Sequence, residues 1–303
     1  MPASRKPPRK GPATPSSKSA SAAVKLPDRR AMESFMSAIG APRAKSATEK
    51  AQDVMYQAWD QAEPSKRIAL ANKALTISPL CADAYVLLAE EKAKSAEEAL
   101  EYYRKGVDAG SRALGTKAFN EYEGHFWGFL ETRPYMRARA GLAATLDALG
   151  DVDAAIGHYR DMLRLNPGDN QGIRYLLARC FMKSRDIESL RQLLKQFDED
   201  GTGLWLYTRA LVAFRDNGAG DKTATELARK ACKANRHVPA VLAGAKTMKS
   251  SMNGYVTIGG EDEAAHYVDE WGFDWVTTPG AVDWLTKIAA DMAFTQMDRR
   301  SMH

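Results

Sequence analysis

The spacing of apolar residues between Leu142 and Pro167 is the feature that most constrains the fold of this chain. A large, a small and a large side chain recur at helical spacing, and a small, an aromatic and an apolar side chain follow on a second helix. These positions are Leu142, Ala143 and Leu146, then Ala155, Tyr159 and Met162. Gly150 predicts the turn between the helices, because glycine readily adopts the left-handed conformation that ends a helix. Pro167 ends the second helix by restricting the residue before it. The segment is therefore predicted to be a helical hairpin.

Helical periodicity continues on both sides of this hairpin, over roughly residues 51–235. One hairpin cannot bury its own apolar face, so several must stack. The predicted fold class is all-α, a helix-turn-helix solenoid over residues 46–239. Residues 240–303 are predicted to form a helical C-terminal cap, since the end of a solenoid must cover its last apolar face.

Residues 110–135 interrupt the period with five glycine or proline residues among six aromatic ones. This composition predicts an aromatic-rich insertion that consists of a loop and an extra helix near residues 118–131. Such an insertion either covers a groove or fills the core between two parts of the stack.

Basic charge is concentrated in the N-terminal tail. Residues 1–30 hold eight lysine or arginine residues and one acid, which leaves 35 basic and 37 acidic residues elsewhere. The body is therefore nearly neutral, which argues against a basic nucleic-acid groove there. Few large aliphatic residues occur in the tail, so residues 1–45 are predicted to be disordered. Residues 1–30 could make weak, non-specific contact with a polyanion, act as a regulatory tail, or have no specific partner.

Two levels of family resemblance follow from these patterns. The hairpin at residues 136–169 is similar to a tetratricopeptide repeat. Four longer blocks, CADAYVLLAEE (81–91), GHFWGFLETRPYMRARAGLA (124–143), YRDMLRLNPGDNQGIRYLLAR (159–179) and GLWLYTRALVAFR (203–215), resemble the suppressor of tumorigenicity protein 7 family. That resemblance covers most of residues 48–290 and implies an all-helical repeat fold with a non-enzymatic role. The animal members are similar to membrane proteins, whereas no stretch of this sequence is apolar enough to span a bilayer. The resemblance to this family does not identify any catalytic or binding residue in this chain.

Motifs for catalysis or cofactor binding are missing from the sequence. The five histidines do not pair with each other or with a cysteine at metal-ligand spacing, and no phosphate-binding glycine loop or nucleophile elbow occurs. We therefore predict a protein without enzymatic activity, metal or cofactor. The three cysteines are sparse and odd in number, which fits a reducing compartment. With no apolar signal segment in the tail, this predicts a cytoplasmic location.

In a tetratricopeptide stack the first helix of each hairpin lines the concave face. The repeat spacing predicts that eight residues point there: Glu90, Arg137, Ala144, Asp147, Gln171, Arg174, Ala178 and Phe181. Together with Arg133 and Tyr135 beside the insertion, Arg137, Arg174 and Phe181 are the predicted partner-binding residues. Arginine binds carboxylates bidentately, and tyrosine stacks on partner groups. The structural alternative is that Arg133 pairs with Glu131 and that Tyr135 packs into the stack.

The sequence thus predicts a scaffold that binds a protein or peptide on its concave face. The alternative function is association with nucleic acid or an anionic surface through the basic tail. An enzyme with an unrecognised site is a third possibility, with no motif in its favour.

Overall fold

The computed structural model describes Glu33, residues 44–245 and residues 257–301, with side chains through residue 294. The predicted disordered tail lies outside these residues except for Glu33, Ala44 and Lys45, and residues 246–256 of the predicted cap lie outside them too. Arg43–His303 form one unit by their contacts. Every regular element of the described residues is a helix, so the all-α prediction is confirmed. The α-helices are α1 (Ala47–Trp59), α2 (Pro64–Ile77), α3 (Ala82–Glu91), α4 (Ala96–Glu121), α5 (Arg133–Ala148), α6 (Val152–Leu165), α7 (Ile173–Ser184), α8 (Ile187–Gln196), α9 (Gly203–Asn217), α10 (Lys222–Ala234), α11 (Val238–Leu242), α12 (Glu261–Val276) and α13 (Ala281–Ser301).

The helices pack as consecutive pairs: α1 with α2, α3 with α4, α5 with α6, α7 with α8, α9 with α10, and α12 with α13. We call α1, α3, α5, α7, α9 and α12 the first helices. The predicted hairpin at residues 142–167 is the α5–α6 pair, whose turn contains Gly150 with a φ of 88°. Its six diagnostic side chains are all buried, which is the arrangement that the spacing predicts.

Side-chain caps determine where four second helices begin. Ser95, Asp151, Asp186 and Asp221 each accept a hydrogen bond from the backbone N–H three residues later, at 3.2, 3.3, 3.0 and 2.6 Å. Such caps satisfy donors that have no partner within the helix. The caps therefore hold the α4, α6, α8 and α10 starts at their positions in the stack.

The apolar core consists of two clusters. One joins α1, α2 and α3, and the other runs from α4 to α13. Between them α4 approaches its neighbours closely through two glycines. A Cβ on Gly106 would lie 3.1 Å from the Ala138 Cβ, and a Cβ on Gly110 would lie 2.9 Å from the Tyr135 Cβ. Since α4 has no side chain at either position, its backbone packs directly against α3 and α5 there.

The aromatic-rich segment contains a break and several short helical pieces where one extra helix near residues 118–131 was predicted. Helix α4 is interrupted at Gly115, whose φ of 69° and ψ of 165° are not helical, and a short helical stretch follows to Glu121. Two short 3₁₀ turns, Phe126–Gly128 and Leu130–Thr132, then lead directly into α5. Within the segment, the Phe119 ring lies 5.2 Å from the Phe126 ring and 5.1 Å from the Tyr135 ring. These rings are part of the larger core, where their packing buries apolar area.

Candidate functional site

The first helices are joined to one another by ion pairs. Over the described residues, these contacts connect α3 to α5, α5 to α7, and both α7 and α9 to α12. We call them the first-helix network, and its members are Asp83–Arg137, Asp147–Lys183, Arg179–Asp274 and Arg215–Asp274. Each pair joins residues on different helices, so the network fixes the positions of neighbouring repeats as well as the charges on this face.

Asp83 is the most deeply buried member of the network. Its side chain is fully buried, and its two oxygens accept hydrogen bonds from Nε and Nη2 of Arg137 at 2.8 and 2.6 Å. Gln52 of α1 donates a third hydrogen bond to Asp83 at 2.7 Å. The Arg137 guanidinium also lies 5.6 Å from the centre of the Trp59 ring. Bidentate geometry of this kind is the strongest form of arginine–carboxylate pairing. Because Arg137 of α5 contacts Asp83 of α3 and Trp59 of α1, it holds three first helices together.

Arg179 occupies the corresponding place at the C-terminal end. Its Nη1 contacts Asp274 at 2.6 Å, its Nε lies 3.8 Å from Glu270, and its guanidinium lies 5.2 Å from the centre of the Trp271 ring. Arg215 of α9 donates to the Asp274 backbone oxygen at 2.8 Å. Helix α12 is thus held against α7 and α9 by two arginines that converge on one aspartate.

An exposed apolar pair lies beside this convergence. Phe273 and Val276 are 74% and 65% exposed, and they stand one helical turn apart on α12. Phe273 is adjacent in sequence to Asp274 and one turn from Glu270, whose side chain is 49% exposed. Contiguous apolar patches rimmed by polar residues mark interaction sites, which makes this pair a candidate contact. We call Phe273 and Val276 the α12 apolar pair.

Arg133 and Tyr135, two of the predicted binding residues, are engaged with their own chain. Arg133 donates from Nε to the Trp127 backbone oxygen at 3.0 Å, and its guanidinium lies 5.3 Å from the centre of the Trp127 ring. Tyr135 is buried, and its hydroxyl accepts a hydrogen bond from Arg139 at 2.7 Å. Burial raises the pKa of Tyr135. Because its ring is buried against Phe119, Tyr135 packs between α4 and α5.

Arg174 lies at the start of α7 and binds two carboxylates of this chain. Its guanidinium contacts Asp169 and Asp200 at 2.8 Å each, and it donates to the Tyr175 hydroxyl at 2.8 Å. Both carboxylates are nearly or fully buried. Burial alone would raise the pKa of Asp200, but hydrogen bonds from Thr202 and Tyr175 lower it below its usual value. This arginine therefore fixes the joint between α7 and the loop before α9.

Phe181 is placed differently from the prediction because the register of α7 is shifted. The buried triad of α5 recurs in α7 as Leu177, Ala178 and Phe181, one position later than a strict repeat of about 34 residues would place it. Phe181 is only 2% exposed. The residue that this shift brings to the first-helix network is Arg179, which the sequence analysis missed. The large–small–large spacing within α7 is the signal that could have identified it.

His158 of α6 predicts a pH effect on stability. Its Nδ1 accepts a hydrogen bond from Arg139 at 3.3 Å, and burial together with the Arg139 charge lowers the pKa of His158 although Asp161 opposes this. Because the unfolded chain then binds the proton more readily, the free energy of unfolding should fall as the pH drops below about 6.5. His158→Gln should reduce this fall in urea unfolding measured between about pH 7.5 and pH 5. Identical pH dependence in both proteins would contradict the assignment.

The described residues offer little nucleophilic or metal-binding chemistry. Cys81, Cys180 and Cys232 are free and buried, and burial raises the pKa of the Cys81 and Cys180 thiols to about 12. These two groups are therefore protonated at neutral pH, and a protonated thiol is a poor nucleophile. In the described part of the chain, no three histidine, cysteine or carboxylate residues are grouped as a metal site. Nor does any described helix combine the length and apolar character needed to cross a bilayer.

Comparison with protein families gives two matches. The ST7 protein family matches residues 43–171, and the tetratricopeptide repeat family matches residues 146–213. The resemblance predicted from the sequence is therefore confirmed at both levels. The two matches overlap at residues 146–171, which contain the end of α5 and all of α6.

Individual relatives resemble most of this chain. The protein ST7 homolog of Caenorhabditis elegans is 25% identical over 280 residues, which cover 79% of this chain and 51% of the relative. The suppressor of tumorigenicity 7 protein-like of Gallus gallus is 25% identical over 238 residues, covering 71% and 42%. The chain thus spans about half the length of these curated relatives. The crystal structure of YrrB, described as a TPR protein with an unusual peptide-binding site, is 16% identical and covers 63% of this chain and 93% of its own, with a TM-score of 0.44.

Proposed function

We propose that this tetratricopeptide repeat protein, which resembles the ST7 family, is a non-catalytic scaffold that binds a protein or peptide on its first-helix face. In repeat proteins of this kind the stack creates an extended concave binding surface. The observation that carries the proposal is the α12 apolar pair, Phe273 and Val276, exposed beside the charged first-helix network.

The composition of this face suggests how a partner binds. Phe273 offers an aromatic anchor, and such residues supply much of the energy at interfaces. Glu270, one turn away on α12, is 49% exposed and lies 3.8 Å from Arg179, and Lys183 on α7 adds a further partly exposed charge to the first helices. A segment with an apolar side chain flanked by charges of both signs would complement this surface. Electrostatic complementarity of this kind contributes mainly to specificity and association rate.

The five residues predicted from the sequence have supporting roles in this proposal. Arg137 and Arg174 hold neighbouring helices, and Arg133 and Tyr135 order the segment that leads into α5. Phe181 fills the core of α7. They preserve the shape of the face, while direct contact is assigned to the α12 apolar pair and the exposed charges.

Replacement of the α12 apolar pair tests this function. In Phe273→Ala/Val276→Ala, partner capture quantified by mass spectrometry should fall about tenfold or more, as expected when interface anchors are removed. The melting temperature should change little, because both side chains are exposed. Phe294→Ala is the matched control, since Phe294 is 73% exposed on the neighbouring helix α13.

Two outcomes would contradict the proposal. Equal loss of partners in the Phe273→Ala/Val276→Ala and Phe294→Ala variants would show that exposed apolar area, not this face, determines capture. Loss of capture on deletion of residues 1–30, together with strong suppression by salt, would favour polyanion contact through the basic tail instead.

A further inference from the structure

A cleft on the second-helix side of the molecule has no role in the function proposed above. It has a volume of about 670 Å³ and lies between α6 and α8, with α7 beneath it. Its floor is apolar and buried, and is formed mainly by Leu163, Leu177, Phe181 and Leu193. We call it the α6–α8 cleft. A cleft of this size with an apolar floor and polar walls has the character of a ligand site.

The walls of the cleft carry positive charge without a carboxylate among the lining residues. Arg160 and Arg164 line the α6 side, whereas Gln192 and Gln196 line the α8 side. The two arginines lie about one helical turn apart, a rise of about 6 Å, and so do the two glutamines. Side chains on one face of an extended peptide repeat every ~6.7 Å, so successive groups of such a peptide match both walls. Glutamine amides can both donate to and accept from a peptide backbone. The Gln192 amide now donates to Glu188 at 3.3 Å on the exposed face of α8, a hydrogen bond that a bound peptide would replace.

Arg160 is the better placed of the two arginines to receive a carboxylate. Its side chain is 55% exposed, its guanidinium lies 5.0 Å from the centre of the Phe181 ring, and its nearest carboxylate, Asp186, is 3.8 Å away. Its Nη2 donates to the Ser189 hydroxyl at 2.7 Å, which holds the guanidinium at the cleft. Arg164, by contrast, contacts Asp161 at 2.7 Å and also pairs with Glu123.

We propose that the α6–α8 cleft binds an extended acidic peptide segment, with one apolar side chain on the floor and a carboxylate on Arg160. The opposite wall then holds the peptide backbone through Gln192 and Gln196. The chain's own residues 1–30 carry eight basic residues and one acid, so their charge does not suit this cleft. This site lies on the other helix set from the α12 apolar pair and functions independently of it.

Binding of defined peptides tests the cleft. The probe is a dye-labelled decapeptide of alternating leucine and aspartate, acetylated and amidated at its ends, with asparagine replacing aspartate in the comparison peptide. The full-length protein should bind the aspartate peptide at least about tenfold more tightly in fluorescence anisotropy, given the strength of charge-assisted hydrogen bonds. Arg160→Ala should remove about that factor.

A second variant keeps the test independent of any effect of Arg160→Ala on folding. Gln192→Glu places a carboxylate on the exposed opposite wall and should lower the affinity for the aspartate peptide by a similar factor. Arg112→Ala removes a matched exposed arginine on α4 and should leave this affinity unchanged. The Phe273→Ala/Val276→Ala protein should bind it normally. Equal affinity for both peptides, or no effect of Arg160→Ala and Gln192→Glu, would overturn the proposal. Binding only of a peptide with a free C-terminus would also overturn it, since a terminal carboxylate would then be the ligand.

Discussion

Arg137→Ala is expected to lower the free energy of unfolding by about 3–5 kcal/mol, because it leaves the buried carboxylate of Asp83 without its guanidinium partner. Gln52 still donates one hydrogen bond to Asp83, but a neutral amide does not balance the charge. Urea unfolding at neutral pH measures the change directly. A loss of partner capture in this variant would therefore reflect an altered stack rather than a missing contact.

Two comparisons isolate the cause. Arg104→Ala removes an exposed arginine that pairs with Glu101 one turn away, and exposed pairs of this type contribute little. The double variant Asp83→Leu/Arg137→Met removes both charges and should recover much of the lost stability, as apolar replacement of buried pairs often does. A loss below about 1 kcal/mol in Arg137→Ala would mean that Asp83 does not depend on this pairing.

Trp205→Ala is expected to lower the free energy of unfolding by about 3–5 kcal/mol, the range for truncating a fully buried tryptophan to alanine. The Trp205 ring meets Tyr175 and Phe197 edge-on, with ring centres 5.6 and 6.2 Å apart. Its Nε1 donates to the Phe197 backbone oxygen at 2.8 Å. Because these contacts join α7, the end of α8 and α9, their loss should separate the C-terminal repeats from the centre of the stack.

Trp205→Phe separates packing from hydrogen bonding at this site. It keeps an aromatic ring and removes only the Nε1 hydrogen bond, while the Asp200 backbone N–H still donates to the Phe197 oxygen at 3.2 Å. Trp205→Phe should therefore be clearly less destabilising than Trp205→Ala. Hydrogen exchange should show the alanine variant losing protection mainly in α9 and α10. If protection fell uniformly along the chain, the stack would behave as one cooperative unit and not as repeats stabilised by their neighbours.

The α5–α6 pair shows what the sequence could predict. Local spacing, Gly150 and Pro167 suffice there, because all the determinants lie within one hairpin. In the aromatic-rich segment, by contrast, one extra helix near residues 118–131 was predicted. After the break at Gly115 the chain forms shorter helical pieces, since the rings of Phe119, Phe126 and Tyr135 pack together and hold this segment against α5.

The candidate site was harder to predict than the fold. Arg137 was predicted to bind a partner, whereas its contact within the chain, Asp83, lies 54 positions away, and Asp274 lies 95 positions from Arg179. Periodicity carries no information about pairs so distant in sequence. A single extra residue before α7 was enough to assign Ala178, which is fully buried, to the concave face in place of Arg179.

Site-specific photo-crosslinking tests the central claim, that the first-helix face binds the partner, most directly. A photoreactive phenylalanine analogue is placed at position 273 in one protein and at position 294 in another, since both side chains are exposed to a similar extent. We expect the captured partner to crosslink at position 273 and not at position 294. Crosslinks of equal yield at both positions, or at position 294 alone, would contradict the claim.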